Sequence, residues 1–329
     1  MSVNRRIRTP AAALALPLLL AACSTHVTTD ANSGATVAEG AGSIKVDPAL
    51  KGQTLTVSSK DFSENIILGE ITKFALQAAG AKVNDKTNIK GSSNTRTALT
   101  SKKVDLYWDY TGTGWIVYLK HTDPVKGADA QYKAVSEEDK TKNGVQWLAP
   151  APANNTYALA VLAAKAQQWN LKSLSDFAAF TKTHPADATV CLESEFSTRN
   201  DGWPGLAKAY GIDIPKANIK LVDTGVVYTE TAKGTTCNFG EVFATDGRIS
   251  NLKLTTLEDD KQFFPVYNPA LTLRVETAEK YPSIAQIMAP IAAKLNNETL
   301  RDLNAQVDVV GKPADQVAQG WLKQNGFVG

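Results

Sequence analysis

The chain has 329 residues, a formal charge of +2, three cysteines and three histidines. A charge so close to zero excludes the basic stripe of a nucleic-acid binder. The histidine and cysteine counts do not assemble into a three- or four-ligand metal cluster, so neither metal nor cofactor is expected.

Residues 1–22 begin with a basic stretch holding Arg5, Arg6 and Arg8 and continue as a short apolar run broken by Pro17. The run falls short of the ~20 apolar residues that a spanning helix needs, and its layout is that of a secretory signal peptide. It ends Leu20-Ala21-Ala22-Cys23, which resembles a bacterial lipobox. Cys23 would become the lipidated first residue of the mature protein, held at the cell membrane by acyl chains worth about 0.8 kcal/mol per buried methylene. Cleavage removes three arginines and no acid, taking the charge from +2 to −1. Residues 23–50 are small and polar and are read as a flexible, extracytoplasmic tether.

Roughly 280 residues follow, enough for two ordinary domains. "TLTVSS" (54–59) alternates and is rich in β-branched residues, predicting a strand. Residues 62–80 carry a helical apolar rhythm that stops at Gly80. "TRTALTSKK" predicts a short helix, "VDLYWDY" a strand, and "YALAVLA" another strand after a Pro-rich connector. Residues 173–183 predict a helix capped by Ser173 or Ser175, "ATVCLE" a strand, "GWPGLAKAYG" a helix opening near Pro204, and "KLVDTG" a strand. "EVFATDGRI" reads as strand then turn, "LTTLEDDKQFFPVYNPALTLR" as extended segments, and residues 282 onward as mostly helical. Alternating strands and helices predict α/β units with largely parallel sheets. Two such units, the second bracketed by the first, describe a bilobal hinged protein. Lobe 1 is expected over 51–153 plus 266–329 and lobe 2 over 154–265. Ligands of such sheets bind outside the carboxyl ends of the strands, so the crevice between the lobes is the expected site.

Chemistry is harder to find. His121 and His184 lie in loop-like sequence, and no G-x-S-x-G elbow or G-x-x-x-x-G-K-[ST] phosphate loop occurs. "TGTGW" lacks the third glycine of a dinucleotide loop. No enzyme activity is therefore expected. In an oxidising exported compartment Cys191 and Cys237 are expected to pair as a disulfide; two small buried residues that never meet is the competing reading.

Five stretches together carry a resemblance: "VSSKDFSENIILGEI", "KVDLYWDYTGTGW", "NNTYALAV", "FSTRNDGWPGLAKAYG" and "LEDDKQFFPVYNPALTLR". They resemble the substrate-binding proteins of ABC importers for glycine betaine, choline and related osmoprotectants, over about residues 52–328. The resemblance implies a type II periplasmic-binding-protein-like fold with two α/β lobes joined by a hinge. It also implies a small-molecule quaternary amine as ligand, an ABC permease with its cytoplasmic ATPase as partner, and a monomer. A trimethylammonium group has no hydrogen to donate, so a site must surround it with aromatic faces, each worth roughly 0.5–2 kcal/mol. A betaine carboxylate at the other end needs cationic or hydroxyl donors. Matching the family's positions one by one implies Tyr110, Tyr157, Phe243 and Tyr267 for the cage. The same matching implies Lys60, Thr113 and Arg199 for the carboxylate. Phe243 stands where the family commonly has tyrosine, and Gly91-Ser92-Ser93-Asn94-Thr95 where it often has a Gly-Gly-Thr turn. Trp108 and Trp115 are read as packing or rim residues, and Tyr107 must point opposite to Trp108 in a regular strand. Choline, carnitine, ectoine, proline or an aromatic solute are alternative cargoes, and a non-transport surface lipoprotein is the alternative role.

Overall fold

The computed structural model describes residues 36–329, so the signal-peptide reading, Cys23 and the start of the tether lie outside the described residues. Two five-stranded sheets organise the body. The first contains β1 (Thr54–Lys60), β2 (Lys82–Ile89), β3 (Leu106–Tyr110) and β4 (Val145–Trp147). The second contains β5 (Tyr157–Leu162), β6 (Val190–Leu192), β7 (Ile219–Leu221), β8 (Phe239–Phe243) and β9 (Leu254–Thr256), before β10 (Pro269–Arg274) returns to the first. The orders are β2-β1-β3-β10-β4 and β7-β6-β8-β5-β9.

The two sheets share a plan. In each, four strands run in one direction and the fifth runs against them: β10 pairs antiparallel with β3 and β4, and β5 with β8 and β9. Each opposing strand is the one that has just arrived from the other sheet. It enters at the carboxyl ends of its neighbours, so it can only run back along them. The chain crosses between sheets through residues 148–156 and 257–268. The expectation of largely parallel sheets therefore holds apart from one strand in each.

Packing follows side-chain type. The helix Ser63–Ala78 is buried on nearly every side, with Ile67, Leu68, Ile71 and Phe74 fully enclosed between the first sheet and the C-terminal helices. Tyr107 and Trp108 point to opposite faces of β3 and join different core clusters. The helix Leu174–Thr183 starts at Ser173, whose hydroxyl accepts from the Asp176 N–H in a capping box. Several elements went unread in the sequence, among them the helix Thr224–Lys233, β2 and the helix Ala128–Asn143. β2, with the polar sequence KVNDKTNI, alternates exposed and half-buried positions as an edge strand. The helix Ala128–Asn143 buries a narrow face at Gln131, Val135 and Asp139.

The tether expectation needs a correction at its C-terminal end. Ile44 and Leu50 are buried in the first core, and Ser43 and Ile44 donate their N–H groups to the carbonyls of Gly326 and Phe327. Apolar residues embedded in that polar stretch anchor residues 40–50 to the body. In the second lobe Cys191 of β6 and Cys237, just before β8, form a disulfide with Cα atoms 5.6 Å apart. Among the described residues no helix is long and apolar enough to cross a membrane.

Candidate functional site

A cavity of about 330 Å³ opens between the two sheets, and all seven residues implied for the site line it: Lys60, Tyr110, Thr113, Tyr157, Arg199, Phe243 and Tyr267. Strand ends explain the convergence. Lys60 ends β1, Tyr110 ends β3, Phe243 ends β8, Tyr157 opens β5 and Tyr267 sits just ahead of β10. Tyr157 and Phe243 are direct partners across the β5–β8 pair. These positions face the crevice at the carboxyl ends of the parallel strands, the usual ligand position in open α/β sheets.

The rings form a continuous arc. Successive centroids are 5.8 Å apart for Tyr110–Phe62, 5.1 Å for Phe62–Phe243, 5.3 Å for Phe243–Tyr157 and 5.3 Å for Tyr157–Tyr267. Phe62, not assigned from sequence, joins Tyr110 to the rings of the second lobe. Its signal lay in "SSKDFSEN", where the phenylalanine comes two residues after Lys60.

Tyr110 and Tyr267 are fixed by their hydroxyls. Tyr110 donates to Glu64 Oε1 at 2.8 Å, an oxygen that also accepts from Asn155 Nδ2 at 2.9 Å. The other Glu64 oxygen accepts from Thr245 Oγ1 and from Asn304 Nδ2, the latter at 2.9 Å. One buried carboxyl thus ties Tyr110 to the crossing segment and to the second lobe. Burial pushes the Glu64 pKa up, against the pull of these four donors. Tyr267 donates to Asp201 Oδ2 at 2.6 Å. Burial raises the pKa of Tyr110, Tyr157 and Tyr267 well above the ordinary phenol value, so all three stay protonated.

The charged half is already paired within the protein. Lys60 Nζ lies 2.6 Å from Asp109 and 5.1 Å from the Tyr110 centroid. Arg199 holds Asp201 through Nε at 2.7 Å and through Nη2, and holds Glu195 Oε1 through Nη1 at 2.8 Å. Its Nη2 also reaches Thr113 Oγ1 at 3.5 Å across the cleft. Glu195 Oε2 accepts the Ser92 N–H at 2.9 Å, at the start of the helix Ser92–Thr100 in the other lobe. Burial opposes ionisation of Glu195, but Arg199, Lys60 and the Ser92 N–H outweigh it and hold its pKa below the usual carboxylate value. Glu195 was not read from the sequence. Its spacing of four residues from Arg199 was the available hint, but nothing local announces Ser92 as a partner.

Residues read as scaffold lie away from the cavity. Trp108 is fully buried and donates its indole N–H to Thr72 Oγ1 at 2.7 Å. Trp115 stacks on His121 with centroids 3.6 Å apart. The polar turn at Gly91 does reach the site, since Gly91, Ser92 and Asn94 line the cavity.

Comparison with known proteins identifies the family of the chain. Residues 53–324 match the family described as the substrate binding domain of ABC-type glycine betaine transport systems. The glycine-betaine-binding protein of Pseudomonas aeruginosa is 35% identical over 280 residues, covering 84% of this chain and 89% of that protein. Glycine betaine-binding protein YehZ of Escherichia coli is 33% identical over 285 residues, covering 85% of this chain and 93% of that protein. The solved structure of a glycine betaine/carnitine/choline ABC transporter protein superimposes with a TM-score of 0.68 at 25% identity, covering 83% of this chain and 99% of that one. The fold is that of the type II periplasmic binding proteins, in a family of transport components rather than enzymes. Matched across nearly its whole folded body, the chain belongs to the family of substrate-binding domains of ABC-type glycine betaine transport systems.

Proposed function

We propose that the protein is an extracytoplasmic solute-binding lipoprotein that captures glycine betaine or a related quaternary-ammonium compatible solute and delivers it to an ABC permease. The arc of rings from Tyr110 to Tyr267, drawn from both lobes around one cavity, is the observation that carries this reading. A diffuse cation set among these faces gains from each ring quadrupole, and the gain grows as closure expels water. Tyr110, Tyr157, Phe243 and Tyr267 are the cage in this reading, while Lys60, Thr113 and Arg199 serve the opposite end of the ligand. Lobe 1, residues 51–153 plus 266–329, and lobe 2, residues 154–265, move about the two crossing segments. Lipidation at Cys23 would hold a monomer at the outer face of the cell membrane, within reach of a permease that is driven from the other side by its cytoplasmic ATPase.

The test is a titration of the protein with glycine betaine, choline, carnitine, ectoine and proline, followed by intrinsic tryptophan fluorescence. Saturable binding of at least one quaternary amine is expected. Flat traces for every quaternary amine would overturn the reading. For the anchor, mass spectrometry of the membrane-extracted protein should find Cys23 as a lipid-modified first residue, and Cys23→Ala should release the protein from the membrane.

A further inference from the structure

Glu195 occupies the place a ligand carboxylate needs. It bridges the Arg199 guanidinium in one lobe and the Ser92 N–H in the other, one oxygen to each. The neighbouring Gly91 N–H is taken too, by Asp61 Oδ1 at 3.1 Å. Of the other cations around the cavity, Lys60 is buried against Asp109 at 2.6 Å, while Lys90 meets Asp223 at 3.6 Å in an exposed pair at the rim. Arg199 spends its Nε and Nη2 on Asp201 and its Nη1 on Glu195. A cavity whose buried cations are committed in this way offers an incoming carboxylate no unpaired buried charge, whereas its aromatic faces stay open to an ammonium group.

The contacts also state how Glu195 acts. A carboxylate bound to one Arg and one helix N-terminal N–H is held by charge-assisted hydrogen bonds, the strong class. Glu193, whose carboxylate accepts the Glu195 N–H at 2.6 Å, lines the same wall and adds negative potential there. A ligand bearing a carboxylate must displace Glu195 or sit against it. A ligand ending in a hydroxyl can donate to Glu195 and leave the bridge in place.

Resting on the function proposed above, we infer that Glu195 is a specificity-determining residue. It acts as a resident carboxylate that competes with the ligand's own and biases the pocket toward quaternary-ammonium ligands lacking one.

Calorimetric titration of the full chain with choline and glycine betaine tests this, because the two ligands share the trimethylammonium end and differ at the other. In the parent protein choline is expected to bind at least as tightly as glycine betaine. In Glu195→Gln, which keeps the shape and removes the charge, the ratio of the betaine Kd to the choline Kd should fall at least tenfold. Glu195→Ala should shift the ratio the same way. A general structural role would weaken both ligands together and leave the ratio where it was. A parent that prefers glycine betaine tenfold or more, or a ratio that neither variant moves, would overturn the inference while leaving the proposed function standing. A parent that binds no quaternary amine would overturn both.

Discussion

Gly112 and Tyr267 meet so closely that a single added carbon would not fit: a Cβ at position 112 would lie 2.6 Å from Tyr267 Cε1. The glycine of "TGT" is there to let the ring in. Tyr267 is held from the other side by its hydrogen bond to Asp201, which in turn grips Arg199. Gly112→Ala should therefore push the ring out of the arc and disturb the Arg199 cluster with it. Overpacking of this kind costs about 1–3 kcal/mol. The expected outcome is a lower melting temperature together with at least a tenfold loss of quaternary-amine affinity. Unchanged affinity would mean that the Tyr267 ring position does not matter to the ligand.

The arc itself predicts a graded response. Tyr110→Ala and Tyr267→Ala should each lower affinity at least tenfold, the equivalent of about 1.4 kcal/mol and within the range of one desolvated cation–π contact. Phe62→Ala should do the same, because Phe62 is the link between Tyr110 and Phe243. Phe243→Tyr adds the hydroxyl common in the family and should alter affinity or ligand preference. Titrations of the four variants against one ligand check the set. Parent-like binding by both alanine variants at Tyr110 and Tyr267 would remove those rings from the cage.

The disulfide should stabilise the second lobe without touching the ligand. Cys191 and Cys237 are 46 residues apart, and closing a loop of that length restricts the unfolded chain by about 4 kcal/mol on the loop-entropy model. Neither cysteine lines the cavity. Replacing both with alanine, or reducing the protein, should lower the free energy of unfolding measured in urea by about 2–5 kcal/mol. Ligand affinity of the folded protein should stay within a few-fold of the parent. A loss below about 1 kcal/mol would show that the unfolded state is restricted in other ways.

What the sequence disclosed, and what it hid, divides along chain distance. Tyr110 and Thr113 were legible because "DYTGT" carries them side by side, and Tyr157 and Tyr267 because each sits in its own recognisable stretch. The reason for Gly112 was hidden, since the ring it accommodates belongs to the far end of the chain. Glu195 was hidden for the same reason: its second partner is a backbone N–H in the other lobe, a group with no sequence signature. β2 escaped because an edge strand buries too little to need apolar residues. Local pattern thus pointed to residues that the fold brings to one cavity, and the fold decided which of them are already satisfied.

Behind the acidic wall lies a group whose titration should be measurable. Glu241 is fully enclosed in β8, and its Oε2 accepts the Glu193 N–H at 3.0 Å. Burial pushes its pKa up to about 8; the Glu193 N–H and Arg199 oppose that rise, and the nearby charges of Glu193 and Glu195 add to it. In the unfolded chain the same group titrates near its ordinary 4.5. Between those values the folded state keeps a proton that the unfolded state has released. The contribution of Glu241 to stability is therefore greatest in acid and falls as pH rises through that window, levelling off above about 8. Glu241→Gln keeps an acceptor for the Glu193 N–H and cannot titrate. Urea unfolding at pH 5 and pH 8.5 should show the variant gaining on the parent at the higher pH by roughly 1–4 kcal/mol, since each tenfold difference in proton affinity between the folded and unfolded states is worth about 1.4 kcal/mol. An identical pH dependence in the two proteins would mean that Glu241 ionises in the folded state as easily as in water.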